Sequence, residues 1–555
     1  MERRALATYV AAIDSQQESG QSEQGARGSD SGFGALLACG LTLFALAVDG
    51  YHPFAEDGGL YAVGVKWLLN PALYPHAREF VLEPMRLSLF APVVAGTVRL
   101  SGLGLPVVLL ILHLATVFAT LFAAWLLAAR CWFSRSARAG AMALLACWLT
   151  LPVAGTALLL MDPYLTARSF STPCMVLALV GMLDFTEPRG EAARRWRGLL
   201  MCAGSMMVAA AMHPLMAAYA LGAALMLGCV RSSRRRVRLW GTVAAAAAAL
   251  ALAGCLQAMA TPESSEYARV AATRSYWFLA NWHWYELAGL AAPLAILGYF
   301  AWGYGSRAHI SEARCGAPAP ASVWALSCRR ALAQMAVAAG ATAVLIALLF
   351  AREGAATHLV ARMQPLRAFQ IVYLVMALEL GANLGERVLR RSAWRWGPAI
   401  LLLGGAMLAA ERGAFPSSNH LELPGVAARN LWVQAFVWVR ENTPKDALFA
   451  LDADYINAVG EDAQCFRAAA ERSALPDYSK DGGEASIAPE LVRTWTKGQA
   501  AQQGLSQGSN AAQADAARIA TLRPLGVEWV VMTADAATNF DCPYRNEAVR
   551  VCRVR

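Results

Sequence analysis

Residues 33–61 read FGALLACGLTLFALAVDGYHPFAEDGGLY. The run 33–48 carries no charge, and then Asp49, His52, Glu56 and Asp57 arrive together. A run of this length approaches the ~20 apolar residues that cross the hydrocarbon of a bilayer. The acidic stretch therefore stands where the chain has just left a membrane. The rest of the chain repeats the pattern. Of its 555 residues, 57% are hydrophobic and 16% charged, whereas a soluble protein carries roughly a quarter charged residues. Mean hydropathy is +0.39. Apolar runs predict spans near 33–48, 106–129, 139–160, 171–185, 198–211, 214–230, 239–259, 286–304, 331–350, 366–384 and 395–410. The expected fold is an α-helical polytopic membrane protein of about eleven spans, with a small C-terminal α/β domain outside the membrane.

Charge then sets the sides. A net charge of +9 could suggest nucleic acid, but the arginines gather between apolar runs, which is how orientation is encoded in a membrane. Nucleic-acid binding is set aside on that ground. With the N-terminus cytoplasmic, the segments RCWFSRSAR, PRGEAARRWR, RSSRRRVR, 307–330 and RVLRRSAWR face the cytoplasm with 20 Lys/Arg, and the opposite loops before residue 410 hold ten. Two consequences follow. The apolar segment EPMRLSLFAPVVAGTVRL (83–100) is not a full span, because counting it would invert every cluster; it reads as an interfacial or re-entrant helix in a long first periplasmic loop, 49–105. Basic clusters at both ends of 198–230 require a turn near AMHPLM, where Pro214 breaks the helix and His213 sits at the tip.

Residues 1–32, rich in Ser, Gln and Gly and without an apolar core, predict a disordered cytoplasmic tail. The membrane domain runs 33–411. Residues 412–555 fall on the periplasmic side and alternate helix and strand: GVAARNLWVQAFVWVREN into TPKDALFAL, ADAARIATLRPLG into VEWVVMTAD, and AVRVCRVR as a last strand, a pattern of a small α/β domain. Of twelve cysteines none forms a CxxC pair. Cys542 and Cys552 either pair in an oxidising compartment or remain two free thiols.

Polar residues at the outer span ends are the candidates for chemistry. The first loop offers Asp49, His52, Glu56, Asp57 and His76; MDPYLTARSFS offers Asp162 and Arg168; the hairpin tip His213; and THLVARMQPLRAF Arg362, Gln364 and Arg367. Each has a plain structural reading too. Asp49 can cap its span, Arg168 and Arg367 can reach headgroups, and the aromatics of SYWFLANWHWYE (275–286) can form an interfacial belt. Jointly, however, carboxylates come from one loop and cations from several others on the same side. Arginine binds phosphate in a bidentate fashion, a carboxylate takes a proton from a hydroxyl or holds a metal, and ionisable groups at membrane depth default to function.

With a long acidic first outer loop, short evenly spread spans and an outer C-terminal tail, the stretches HPFAEDGGLYAVGVKWLLNPALYPH (52–76), RMQPLRAF (362–369) and VRENTPKDALF (439–449) make the chain similar to a bacterial branch of the GT-C superfamily. These are integral-membrane glycosyltransferases that use polyprenyl-phosphate-linked sugars, and the likeness covers roughly residues 33–460. The resemblance implies a catalytic carboxylate in the first outer loop. Asp57 is the expected base, Glu56 its support or its partner on a divalent cation such as Mg or Mn, and Asp49 the second candidate. Arg362 and Arg367, with Arg168, are the expected contacts to the donor phosphate; His52, His76, Asp162, His213 and Gln364 are further cavity candidates. Two departures matter. No WWD triplet is present, which argues against oligosaccharide transfer to Asn, and no DxD stands in the first loop, which argues against a tightly held metal. The stretch FRAAAERSALPDYSKDGG (466–483) is a candidate for closing the site. The implied function is transfer of a sugar from a polyprenyl-phosphate donor to an acceptor at the periplasmic face of a bacterial inner membrane. The competing reading is a lipid-glycan flippase or assembly partner, for which Glu379, alone inside YLVMALELGANLG, is the relevant residue.

Overall fold

The computed structural model describes residues 30–187, 191–232, 234–303, 320–390 and 392–554. The expected tail, up to residue 29, lies outside them, as does 307–319 of the basic segment 307–330. Each of the eleven apolar segments contains a helix. Among the described residues six helices are long and apolar enough to cross a membrane: Asp30–Asp49, Leu105–Cys131, Arg236–Met259, Trp284–Gly303, Val323–Phe350 and Leu359–Leu389. The chain is a multi-pass membrane protein.

The segment expected to span 139–160 differs. Its helix, Arg135–Cys147, stops early, and Pro152–Val153 pairs antiparallel with Leu158–Leu159 in a short hairpin. Pro152 cannot extend the helix, and Gly155 takes the positive φ of +58° that the hairpin turn needs. Apolar composition alone could not separate this hairpin from a span.

In the first loop, the helices Arg78–Met85 and Phe90–Ser101 meet at 93°, so the apolar segment 83–100 does not run through as one straight rod. The break at His213 is present: Ala192–Met212 ends there and Pro214–Val230 begins, with Pro214 in the first turn. Helices pack closely where glycine allows it. A Cβ on Gly181 would stand 2.5 Å from the Gly198 carbonyl oxygen, which locks Ala167–Phe185 against Ala192–Met212.

The bundle has two chemically distinct ends. At one, Arg130 and Arg194 share Asp184 at 2.7 and 3.2 Å, and Asp30 pairs with Arg135 and Arg138. At the other, the first helix delivers Asp49 and the chain turns into the acidic loop.

Beyond residue 414 the chain forms a mixed five-stranded sheet in the spatial order Ser473–Ala474, Leu448–Ala450, Trp529–Thr533, Val549–Arg553, Tyr544–Arg545. The first two pairings are parallel and the others antiparallel. Asn430 caps Leu431–Asn442 by accepting from Trp432 and Val433 N–H, and Asn510 caps Ala511–Leu522. Both helices feed strands, as the sequence pattern predicts. Phe436, Phe449 and Phe466 form the fully buried centre. Cys542 and Cys552 are joined by a disulfide.

Candidate active site

The helix Glu56–Leu69 sets the site. Its first turn is wedged between two other segments, and the glycine pair of EDGG permits this. A Cβ on Gly58 would meet the Tyr164 side chain at 2.9 Å, and one on Gly59 would collide with Cys465. The backbone is pinned there as well: Glu56 N–H donates to the Ala463 carbonyl at 2.8 Å and Cys465 N–H to the Phe54 carbonyl at 2.9 Å. Glu56, Asp462 and Ala463 all hold positive φ, +50°, +60° and +55°. Such backbone strain in side chains other than glycine persists only where surrounding contacts enforce it.

Asp57 thus lies in the first helical turn, where the macrodipole favours a carboxylate. Its Oδ2 accepts from Arg168 Nη1 at 3.0 Å and its Oδ1 from Lys480 Nζ at 3.2 Å. Burial would raise this carboxyl, but Lys480 and Arg168 outweigh burial and hold it below the ordinary carboxylate range. Lys480 also pairs with Glu56. Arg168 sits in the first turn of Ala167–Phe185, whose start is fixed by a reciprocal Thr166–Ser169 capping box. A buried cation at a helix N-terminus opposes the dipole. Two carboxylates compensate it, because Arg168 Nη2 also donates to Asp162 Oδ2 at 2.9 Å. Burial pushes the Asp162 carboxyl up against the pull of Arg168.

Two further candidates face this cluster. His213, at the helix break, lies within electrostatic reach of Arg168, Arg367 and Asp57; burial first, then the two arginines, lower its imidazole to about 3. Arg367 senses Arg168 and Asp57, and its Nε has no hydrogen-bond partner. Gln364, buried beside it, holds φ at +51°.

Other candidates are not brought to Asp57. Asp49 accepts from Thr150 Oγ1 at 3.1 Å and neighbours Glu411, lining a cavity with His113 and with Asp162, the second partner of Arg168. His52 is fully buried, stacked on Phe415 with ring centres 4.0 Å apart, and contacts Glu422 at 3.4 Å. His76 meets the Asp446 carbonyl at 3.1 Å. Arg362 donates to the Ile487 carbonyl at 3.0 Å. Each of these three ties the membrane part to the C-terminal part. Glu379 is held in a buried ion pair by Arg329, whose Nε–H is shared between both carboxylate oxygens at 3.1 and 2.8 Å.

Lys480 escaped sequence reading. It lies in the stretch considered for closing the site, yet its partner is 423 residues away. That stretch is braced from within: Arg467 Nη1 donates to Asp481 Oδ1 at 2.7 Å, and Asp481 Oδ2 accepts from Asp477 N–H at 2.8 Å. Lys66 fastens the loop helix to it through Glu471 at 2.7 Å. Glu484, one turn beyond Lys480, also faces the site; burial, then Asp481, Asp57 and Glu83, push its carboxyl up to about 8.

A divalent cation on Glu56 and Asp57 finds no fitting donor set. Both carboxylates are engaged by Lys480, and among the described residues no group of three or more His, Cys, Asp or Glu could hold a metal ion.

No family model matches the chain, and no curated protein matches it. Among solved structures it is similar to the archaeal oligosaccharyltransferase AglB from Archaeoglobus fulgidus, in complex with an inhibitory peptide and a dolichol-phosphate. Identity is 13% and the TM-score 0.39, over 91% of this chain and 69% of that one. It is also similar to the arabinofuranosyltransferase AftD from Mycobacteria, at 15% identity and a TM-score of 0.46, over 94% of this chain and 41% of that one.

Proposed function

We propose that the chain is a membrane glycosyltransferase that moves a sugar from a polyprenyl-phosphate-linked donor to an acceptor hydroxyl at the periplasmic face of a bacterial inner membrane. The observation that carries this reading is the convergence of one first-loop carboxylate, Asp57, with Arg168, Lys480 and Arg367 beside the helix ends. In the transfer, the acceptor O–H proton passes to an Asp57 carboxylate oxygen and the acceptor oxygen forms the new bond to the anomeric carbon. The bond from that carbon to the phosphate oxygen breaks, and the lipid phosphate leaves with the electron pair. Positioned cations that meet the charge as it develops are among the larger catalytic effects.

The resting pairing has a role in this scheme. A carboxylate held below its ordinary range is fully ionised and a weak base. An incoming phosphate competes for Lys480 and Arg168, and as they turn toward it Asp57 regains basicity. Activation is thereby tied to the presence of the donor.

The test is release of lipid phosphate by purified protein in nanodiscs given a panel of polyprenyl-phosphate sugars. Wild type turns over, and Asp57→Asn is slower by at least ~100-fold, the lower range for loss of a general base. Binding without release from any donor would sink the transferase reading in favour of a carrier or assembly role.

A further inference from the structure

Glu484 stands one turn beyond Lys480 on the helix Lys480–Ile487, so the two side chains share a face. Lys480 is engaged by Glu56 and Asp57. Among the described residues no cation pairs with Glu484, and no hydrogen-bond donor meets its carboxyl. What faces it are carboxyl groups from three elements: Asp481 on its own helix, Asp57 on Glu56–Leu69, and Glu83 on the turn Glu83–Met85. Tyr61, one turn beyond Asp57, senses both Asp57 and Glu484.

The cations of the neighbouring elements have other partners. Arg86, just after that turn, pairs with Glu490 at 2.8 Å, and Arg467 pairs with Asp481 at 2.7 Å. Arg493 and Lys497, on Val492–Gln502, are exposed. Arg274 donates to the carbonyls of Ser479 at 2.7 Å and Tyr478 at 2.9 Å, just before the helix. From Ser265–Ala272, Tyr267 OH donates to the Ser486 carbonyl at 2.7 Å, and Arg362 takes the Ile487 carbonyl at the helix end. Glu484 is therefore presented half-buried on a helix held at both ends, with no partner of its own.

A half-buried carboxyl among three others, without a cation, is costly as a carboxylate. Burial first, then Asp481, Asp57 and Glu83, push it up to about 8, so it carries its proton at neutral pH. Asp57 is held in the opposite direction, and two carboxyl groups of one site driven apart take different roles. The protonated form offers an O–H donor that a carboxylate lacks. Either form can hold a hydroxyl, but an anionic phosphate oxygen is held by the protonated form and repelled by the ionised one. A carboxyl denied every cation thus suits an anion. We infer that Glu484 is a phosphate contact of the site, its carboxyl O–H donating to an oxygen of the lipid-linked phosphate that Lys480 and Arg168 meet. This rests on the proposed lipid-linked donor and deepens it.

The experiment measures binding of undecaprenyl phosphate by the full chain in phosphatidylcholine nanodiscs at pH 7 and pH 9. Glu484→Gln keeps an N–H donor and cannot ionise. Between the two pH values wild type should lose about 10-fold more affinity than Glu484→Gln, because a carboxyl one pH unit above its midpoint is about nine-tenths ionised. The phosphate's own ionisation is common to both proteins and cancels in the comparison. Wild type alone gives a second measurement: binding at pH 8 should take up about half a proton, read from the dependence of the binding heat on buffer ionisation enthalpy. Equal losses in the two proteins, no proton uptake, or a wild type that does not bind undecaprenyl phosphate would each overturn the assignment. Phosphatidylglycerol replaces undecaprenyl phosphate in a parallel series, and the same pH difference there would assign the contact to a bulk headgroup and overturn it too. Lipid-phosphate release from sugar-bearing donors is read separately in wild type. The pH-linked binding without release ends the transferase reading and keeps the phosphate contact, and release alongside equal losses of affinity ends the contact and keeps the transferase.

Discussion

Lys480→Met keeps the side-chain stem and removes the charge that joins the C-terminal part to Asp57. The ammonium lies 3.2 Å from Asp57 Oδ1, with the two side chains 18% and 27% exposed, so solvent screens the pair only in part. A hydrogen bond to a charged group under such conditions contributes about 1.5–3 kcal/mol. Without the Lys480 charge, which helps hold it down, the Asp57 carboxyl rises toward the ordinary range. The deletion also leaves Arg168 to serve both Asp57 and Asp162. Removing the same 1.5–3 kcal/mol from the docking of Lys480–Ile487 raises the local opening equilibrium about 10- to 100-fold. Amide hydrogen exchange of purified protein in nanodiscs measures this directly. Faster exchange over 480–487 is expected in Lys480→Met, with the amides of Leu431–Asn442 unchanged and Lys480→Arg close to wild type. Identical exchange in Lys480→Met and wild type would mean that the contact neither docks the segment nor holds Asp57, and the scheme in which donor phosphate releases a restrained base would fall with it.

Two further outcomes are expected. Glu484, pushed up to about 8 by burial and then by Asp481, Asp57 and Glu83, is neutral in the fold where the unfolded chain ionises at about 4.3. Its stabilising contribution is therefore complete below about pH 4 and is lost as pH rises through about 8; Glu484→Gln should match wild type in thermal midpoint at pH 4 and exceed it at pH 8.5, and parallel midpoints across that range would contradict the assignment. Asp57 has the opposite sign, since its depressed carboxyl stabilises above the ordinary carboxylate pKa and loses that contribution only in stronger acid. Gly181→Ala places a methyl 2.5 Å from the Gly198 carbonyl oxygen and should destabilise by about 1–3 kcal/mol, read as a lower thermal midpoint; a midpoint equal to wild type would show that the helices can separate freely.

What could be read from the sequence was local in origin. An apolar run followed by carboxylates marks a helix leaving a membrane, and Pro214 marks a break, because the cause of each lies within a few residues. Asp57 was legible in this way. Its separation from Asp49 was not. The first helix ends by turning Asp49 toward Thr150 and Glu411, while the next begins at Glu56 and sets Asp57 on Arg168 and Lys480, so the two carboxylates take different partners. His76 and Arg362 show the same limit, since composition put them outside the membrane but their partners are carbonyls of Asp446 and Ile487 in the C-terminal part.

The residues hidden from the sequence share one property: their meaning comes from a partner supplied by the other region. Lys480 is an unremarked lysine until the C-terminal part docks and sets it on Glu56 and Asp57. Trp277 is one aromatic among several until Arg274 ties its turn to Tyr478 and Ser479. The same stretch thus positions both the cation on the carboxylate and the turn at Trp277. Lys480→Met should bind bare undecaprenyl phosphate more weakly than wild type, because the lost cation is the one proposed to meet the phosphate; an affinity equal to wild type would refute that assignment.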